Sequence, residues 1–84
     1  MNIYLLEQDI IDGYDTYDSI VVCAKSEEDA REIYPDNERW EDNANDSWLE
    51  WVRFSDIDKI KVTLLGKADK RIKRGCILSS YNAG

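Results

Sequence analysis

Short apolar runs separated by polar segments indicate a small sheet with one helix. Asn2–Glu7 is rich in β-favouring residues, and Ser19–Ala24 is a second run of the same kind. Between them, Asp9–Asp18 contains Gly13 among Asp and Tyr residues, which is typical of a hairpin loop. We therefore predict that the first two strands pair antiparallel.

A helix is predicted immediately after the second strand. Ser26 suits the N-cap position, and the acidic residues Glu27–Asp29 fall in the first turn, where the helix dipole favours negative charge. Ala30 and Ile33 lie on one face at helical spacing, and Pro35 is expected to end the helix. A helix of about eight or nine residues is too short to persist alone, so it must pack on the sheet.

The middle of the chain is less regular. Asp36–Asp46 is polar and has no periodicity, which predicts a surface loop that Trp40 ties down. Ser47–Phe54 is predicted to form a third strand, although the spacing of Trp48 and Trp51 also suits a helical turn.

The last third of the chain returns to strand-like patterns. Lys59–Leu65 alternates charged and apolar residues, as a half-buried strand does, and Cys76–Ser80 is predicted to be the final strand. Ala68–Arg74 between them is expected to form a short basic helix or turn. The order ββαβββ predicts one α+β domain over residues 1–84, with a mostly antiparallel sheet of four to five strands and the helix on one face.

Composition favours a folded binding protein over an enzyme. Hydrophobic residues make up 43% of the 84 residues, which is enough for one core but leaves no room for a deep catalytic pocket. The sequence has no histidine, no Cys-x-x-Cys pair, no glycine-rich phosphate loop and no serine-centred motif. We therefore expect neither catalysis, nor a cofactor, nor a metal site.

The two cysteines and the absence of long apolar segments indicate the cellular compartment in which the protein is expected. Cys23 and Cys76 each lie in an apolar, β-prone run, which predicts buried thiols; a disulfide between neighbouring strands is the alternative. Met1–Asp12 does not have the pattern of a signal peptide, and no apolar stretch approaches the ~18–20 residues of a membrane span. We expect a cytoplasmic protein without a membrane partner.

Charge is distributed unevenly along the chain. Residues 1–50 contain 15 acids and 3 bases, whereas residues 51–84 contain 3 acids and 8 bases, so the two parts carry −12 and +5. An acidic surface attracts the basic grooves that normally hold nucleic acid. The alternative is a solvated face that only confers solubility. The basic part is predicted to supply counter-charges within the molecule or a second contact patch, and direct nucleic-acid binding is not expected.

The candidate contact residues belong to the first loop, the helix and the long middle loop. The spacing of the first-loop acids resembles a calcium loop but does not fit the alternate positions of an EF-hand, so calcium is not predicted. Aromatic residues beside these acids are candidate anchors, because large rings often dominate protein interfaces. The predicted acidic contacts are Asp12, Asp15, Asp18, Glu27, Glu28 and Glu32, and the predicted anchors are Tyr14, Tyr17 and Trp40.

Both ends of the sequence carry a resemblance. Gly13–Ser19, the strand-to-helix junction Ala24–Ile33 and the tail Gly75–Gly84 resemble small uncharacterised proteins of bacteriophages and prophages. The junction is also similar to helix starts in several small anti-CRISPR proteins. The resemblance implies a cytoplasmic phage protein that blocks host nucleic-acid machinery by stoichiometric binding.

Charge and resemblance together predict a phage-derived, anti-CRISPR-like inhibitor of a bacterial defence system. Its partner would be a host protein or ribonucleoprotein complex with a basic surface. One alternative is a non-inhibitory phage accessory protein or a homo-oligomer joined acidic face to basic face. Another is a sponge for a small signalling nucleotide, which would use Lys70, Arg71, Lys73 and Arg74.

Overall fold

A four-stranded antiparallel sheet forms the centre of the molecule. The computed structural model describes residues 1–11, 16–40 and 50–82. The strands are β1 (Asn2–Glu7), β2 (Thr16–Ala24), β3 (Lys61–Lys67) and β4 (Gly75–Asn82), in the spatial order β3-β1-β2-β4. The predicted α+β class is confirmed, and β1 has its predicted bounds. Both edge strands therefore come from the last third of the sequence.

The helix is confirmed but is shorter than predicted. Helix α1 spans Glu27–Arg31, and the Oγ of Ser26 accepts a 3.1 Å hydrogen bond from the Asp29 N–H, as an N-cap does. Glu32 is the C-cap, so the helix does not reach Pro35. Instead, the chain is extended at the residue before the proline and then forms a 3₁₀ turn over Pro35–Asn37.

One face of the sheet, here called the inner face, carries the core. Leu6 and Val22 are fully buried there, beneath α1 and the segment that follows it. The remaining core side chains come from the sheet, from the helix and the residues that follow it, and from the segment before β3: Tyr4, Tyr17, Ile20, Ala24, Ala30, Ile33, Trp51, Val52 and Ile60. The outer face presents Ile3, Leu5 and Val21, which are half-buried.

The predicted strand over Ser47–Phe54 is wrong for the part that the structure describes. Residues 47–49 lie outside the described residues, and residues 50–53 are not in a strand. Trp51 and Val52 are neighbours and are both buried, whereas a strand covered on one face buries every second residue. Phe54–Lys59 then forms a 3₁₀ helix.

The strands β3 and β4 are joined by a connection that passes one end of the sheet. The Ala68 N–H donates to the Met1 carbonyl, and the Cys23 thiol lies 3.9 Å from the Ile72 carbonyl oxygen, so this connection packs beside the start of β1 and the end of β2. It contains a turn and no helix, which decides the alternative left open by the sequence. No helix among the described residues is long and apolar enough to cross a membrane.

The cysteines are free thiols on opposite faces of the sheet. Cys23 is fully buried, as predicted, but Cys76 is only half-buried. Cys76 pairs with Val22 across the sheet, so it shares the inner face with that residue, while Cys23 projects to the outer face. The two thiols therefore cannot approach each other as a disulfide requires.

Candidate functional site

Three predicted contact residues lie together on α1 and its C-cap. Glu27, Glu28 and Glu32 are all exposed, because the helix turns Ala30 toward the core. Glu27 lies 3.8 Å from the guanidinium of Arg31, whose other nitrogen donates to the Ile60 carbonyl. Within the described part of the chain, Glu28 and Glu32 have no ion-pair partner. The helix therefore presents negative charge that is largely uncompensated.

Asp29 differs from the other acids of the helix because its carboxylate is paired with a basic residue of the C-terminal part. Both of its carboxylate oxygens accept hydrogen bonds from Nε of Arg74, at 2.9 and 3.0 Å, and one also accepts from the Lys25 N–H. Burial raises the pKa of the Asp29 carboxyl, but these bonds outweigh it and hold the pKa below its ordinary value. Asp29 thus connects the helix to the β3–β4 connection and is not free for a partner.

Of the three predicted acids of the first loop, the structure describes only Asp18, which does not join the helical group. Asp12, Tyr14 and Asp15 lie outside the described residues. Asp18 is exposed, at an irregularity in the pairing of β2 with β4. It precedes Ala24 by six residues, which is roughly 20 Å along a strand, so Asp18 lies far from the start of the helix.

Tyr17 is not a surface anchor, and its prediction as one is corrected. The side chain is 6% exposed and its ring packs 4.8 Å from that of Tyr81. Its hydroxyl donates a 2.7 Å hydrogen bond to Asp36. This bond, followed by burial and the charges of Asp36, Glu50 and Glu38, raises the Tyr17 pKa above its ordinary value.

Trp40 is half-buried, and its ring is held mainly by contacts within the protein. The indole N–H donates a 2.9 Å hydrogen bond to the Val52 carbonyl. The ring makes edge contacts with Tyr34 and Phe54, at centroid distances of 5.0 and 5.3 Å. It therefore ties the chain to the core, as predicted for this loop, and only part of its surface is left for a partner.

The structure also identifies two residues that sequence reasoning missed. Asp36 and Asn37 both have positive φ angles, 56° and 62°, in the turn after the helix. The Asn37 side chain accepts from the Cys76 N–H at 2.6 Å and donates to the Cys76 carbonyl at 3.4 Å, while Asp36 accepts from the Ser79 hydroxyl. Asp and Asn tolerate left-handed backbone, so the Pro-Asp-Asn sequence was the available signal.

A group of exposed basic residues lies along the β3–β4 connection. Two arginines there are engaged with carboxylates: Arg74 with Asp29, and Arg71 with Asp69. The Arg71 hydrogen bonds lower the pKa of Asp69. The counter-charge role predicted for the basic part is confirmed for Arg74. Because arginine is the best residue for bidentate phosphate binding, these pairs do not favour the nucleotide-sponge alternative.

The described residues contain no group of three or more side chains suited to hold a metal ion. A shallow groove on the outer face is lined by apolar and hydroxyl residues of β2 and β4, namely Ser19, Ile20, Val21, Leu78, Ser79 and Ser80.

The chain matches no protein family, no curated protein and no solved structure. The geometry and charge of the molecule itself are therefore the basis for inferring its function.

Proposed function

We propose that this protein is a non-catalytic binding protein that occupies a basic, nucleic-acid-handling surface of a host protein or ribonucleoprotein complex. This is the action expected of a phage-encoded, anti-CRISPR-like inhibitor in the bacterial cytoplasm. The observation that carries the proposal is the exposure of Glu27, Glu28 and Glu32 on a single short helix and its C-cap. The binding surface proposed here, called the acidic helix surface, consists of these three residues.

The electrostatics of the acidic helix surface favour a cationic partner. Glu28 and Glu32 are four positions apart, so their carboxylates are neighbours on the helix, and like charges at this spacing repel by about 0.2–0.5 kcal/mol. A guanidinium or ammonium group placed between them relieves this repulsion. Because the protein carries −7 overall, its field also attracts a basic groove at long range and speeds association.

The internal ion pairs support the same surface. Asp29, the one helical acid that is tied to the C-terminal part, is held by Arg74, which fixes the helix against the β3–β4 connection. The helix therefore presents its other acids from a fixed position. A rigid surface loses less entropy on binding than a flexible one.

A capture experiment with matched charge variants tests the proposal. Tagged wild-type protein is used to capture partners from bacterial lysate, with and without nuclease, and the captured proteins are identified by mass spectrometry. The test variant carries Glu28→Lys and Glu32→Lys. The control carries Glu7→Lys and Asp58→Lys, which are exposed positions outside α1. Each substitution of an acid by lysine raises the net charge by two, so both variants carry −3 instead of −7.

We expect the wild type and the control to retain a nucleic-acid-handling complex that survives nuclease, and the test variant to lose it. Thermal unfolding of both variants checks that the fold is intact. Equal capture by the test variant and the wild type would exclude the acidic helix surface as the contact. Loss of the complex on nuclease treatment would show that nucleic acid, and not the protein, forms the link.

A further inference from the structure

The connection between β3 and β4, residues 68–74, retains cations that no described carboxylate neutralises. It contains two lysines and two arginines against a single acid. Both arginines are paired with carboxylates, as described above. The lysines, Lys70 and Lys73, are exposed and make no ion pair with a described residue. The connection therefore offers two free positive charges, while its arginines are occupied.

This connection lies directly beside the acidic helix surface. The guanidinium of Arg74 contacts the Asp29 carboxylate at 2.9 Å, so the end of the connection touches α1. Glu32 follows Asp29 by three positions, and residues at this spacing are neighbours on a helix surface. Glu28 lies one turn before Glu32 on the same helix. The free acids and the free lysines are therefore next to each other, and the Asp29–Arg74 pair joins the two groups.

The adjacent positions of the two charged groups determine which self-association they favour. Acidic and basic patches on opposite sides of a molecule join copies head to tail into an open chain. Patches that lie next to each other are instead complementary to themselves under a two-fold rotation, because the acidic patch of each copy then faces the basic patch of the other. Such a contact is complete after two copies. The arrangement therefore favours a closed pair over an open chain.

Exposed apolar side chains at the same end of the molecule add to such a contact. Ile72 lies between the two lysines in sequence and is 37% exposed. Met1 is 48% exposed, and its carbonyl accepts from the N–H of Ala68 in the connection. Exposed ion pairs each contribute little, because solvent screens them. A contact built from both the charges and these apolar side chains is therefore weak and reversible.

We infer that a second copy of this chain binds at this end, so that α1 of each copy contacts the β3–β4 connection of the other. Because each copy carries −7, two copies repel unless opposite charges face each other, and the two-fold contact meets this requirement twice. The dimer covers the acidic helix surface, so a host complex must displace the second copy to bind there. The inference does not rest on the proposed function, because dimerisation needs no host protein.

Analytical ultracentrifugation over about 1 µM to 1 mM protein, in about 0.15 M salt, tests the inference. We expect the wild type to shift from 9.8 kDa toward twice that mass as concentration rises. A variant with Glu28→Lys and Glu32→Lys should stay monomeric, because lysines then face lysines. A variant with Lys70→Glu and Lys73→Glu should also stay monomeric, because acids then face acids. An equimolar mixture of the two variants should dimerise, because opposite charges face each other again.

Matched controls separate the local contact from the effect of net charge. Glu7→Lys with Asp58→Lys gives −3, as the reversal of the helical acids does. Lys59→Glu with Lys61→Glu gives −11, as the reversal of the connection lysines does. All four positions are exposed and lie outside both α1 and the connection. Each control should dimerise, whereas the test variant of the same net charge should not.

A mixture of the two test variants that stays monomeric would overturn the inference, and so would a wild type that stays monomeric at every concentration. A control that loses the dimer together with its test variant would overturn it too, because net charge would then determine association. The lysine reversal separates this inference from the proposed function. It leaves the acidic helix surface intact, so it should still capture the host complex while it stays monomeric. Circular dichroism checks that each variant is folded.

Discussion

The hydroxyl of Tyr17 donates a 2.7 Å hydrogen bond to Oδ2 of Asp36, which joins β2 to the turn after the helix. The other carboxylate oxygen of Asp36 accepts from the Ser79 hydroxyl on β4. One exposed acid thus connects two neighbouring strands to the turn that follows α1. Because Asp36 adopts a positive φ angle to reach them, this connection depends on the local backbone as well as on the side chain.

We predict that Tyr17→Phe destabilises the protein by about 1–2 kcal/mol, because it removes a hydrogen bond to a charged group but retains the buried ring. Urea denaturation measures the change. Tyr4→Phe is a matched control, since the Tyr4 hydroxyl accepts from an uncharged group, the side-chain amide of Asn2. A loss much above this range would show that ring packing was disturbed.

The raised pKa of Tyr17 also predicts an alkaline transition. The folded state favours the neutral phenol, so this contribution to stability is complete below the ordinary pKa of about 10 and is lost as pH rises above it. A spectrophotometric titration should show a tyrosine that ionises at a higher pH than an ordinary tyrosine. The Tyr17→Phe variant should lack this step and lose less stability between neutral and alkaline pH.

We predict that Arg74→Gln destabilises the protein at neutral pH but not in acid. The lowered pKa of Asp29 means that its contribution is complete above the ordinary value of about 3.9 and is lost as pH falls through the lowered one. Arg74 is 43% exposed, so screening by solvent limits the effect to about 0.5 kcal/mol. Thermal unfolding at pH 7 and at about pH 2 measures it.

The control for this prediction is Arg71→Gln. Arg71 contacts Asp69 in a similar way, but it is 90% exposed, and both residues belong to the same turn. We expect its melting temperature to equal that of the wild type at both pH values. Equal effects of the two substitutions would show that net charge, and not the Asp29 contact, determines stability.

We predict that Asn37→Ala costs about 1 kcal/mol from its lost hydrogen bonds and about 1–2 kcal/mol more from left-handed backbone. Asn37→Gly removes the same bonds without that strain, so it separates the two effects. In both variants the Cys76 amide should exchange with deuterium faster than in the wild type, measured by NMR. Unchanged exchange would show that the Asn37 side chain does not protect this edge.

The local features of the fold were readable from the sequence, because neighbouring residues determine them. The run Asn2–Glu7 and the cap at Ser26 needed only β propensity and a hydrogen-bonding side chain. The Ser47–Phe54 prediction failed because Trp51 and Val52 are both buried, so their apolar character did not indicate a strand. In an irregular segment, buried residues do not recur at a regular spacing, so the sequence pattern does not show which residues are buried.

The candidate site was readable only in part. Glu28 and Glu32 lie together because helical spacing places them one turn apart. Tyr17 was placed with the surface residues because its neighbours in sequence are acidic, but Asp36, nineteen positions away, holds it in the core. The positions of Asp36 and Asn37 against β4 depend on contacts between segments that are distant in sequence. The spacing of residues along the sequence does not reveal such contacts.

The spatial order of the strands has a kinetic consequence. Strands β1 and β2 are close in sequence and pair after closing a short loop, whereas Cys23 of β2 pairs with Gly75 of β4, about fifty residues later. Contacts between such distant residues slow folding, because loop entropy is lost before they form. The same holds for β3, whose pairing with β1 joins Asn2 to Lys67, so docking of both edge strands is expected to be slower than pairing of β1 with β2.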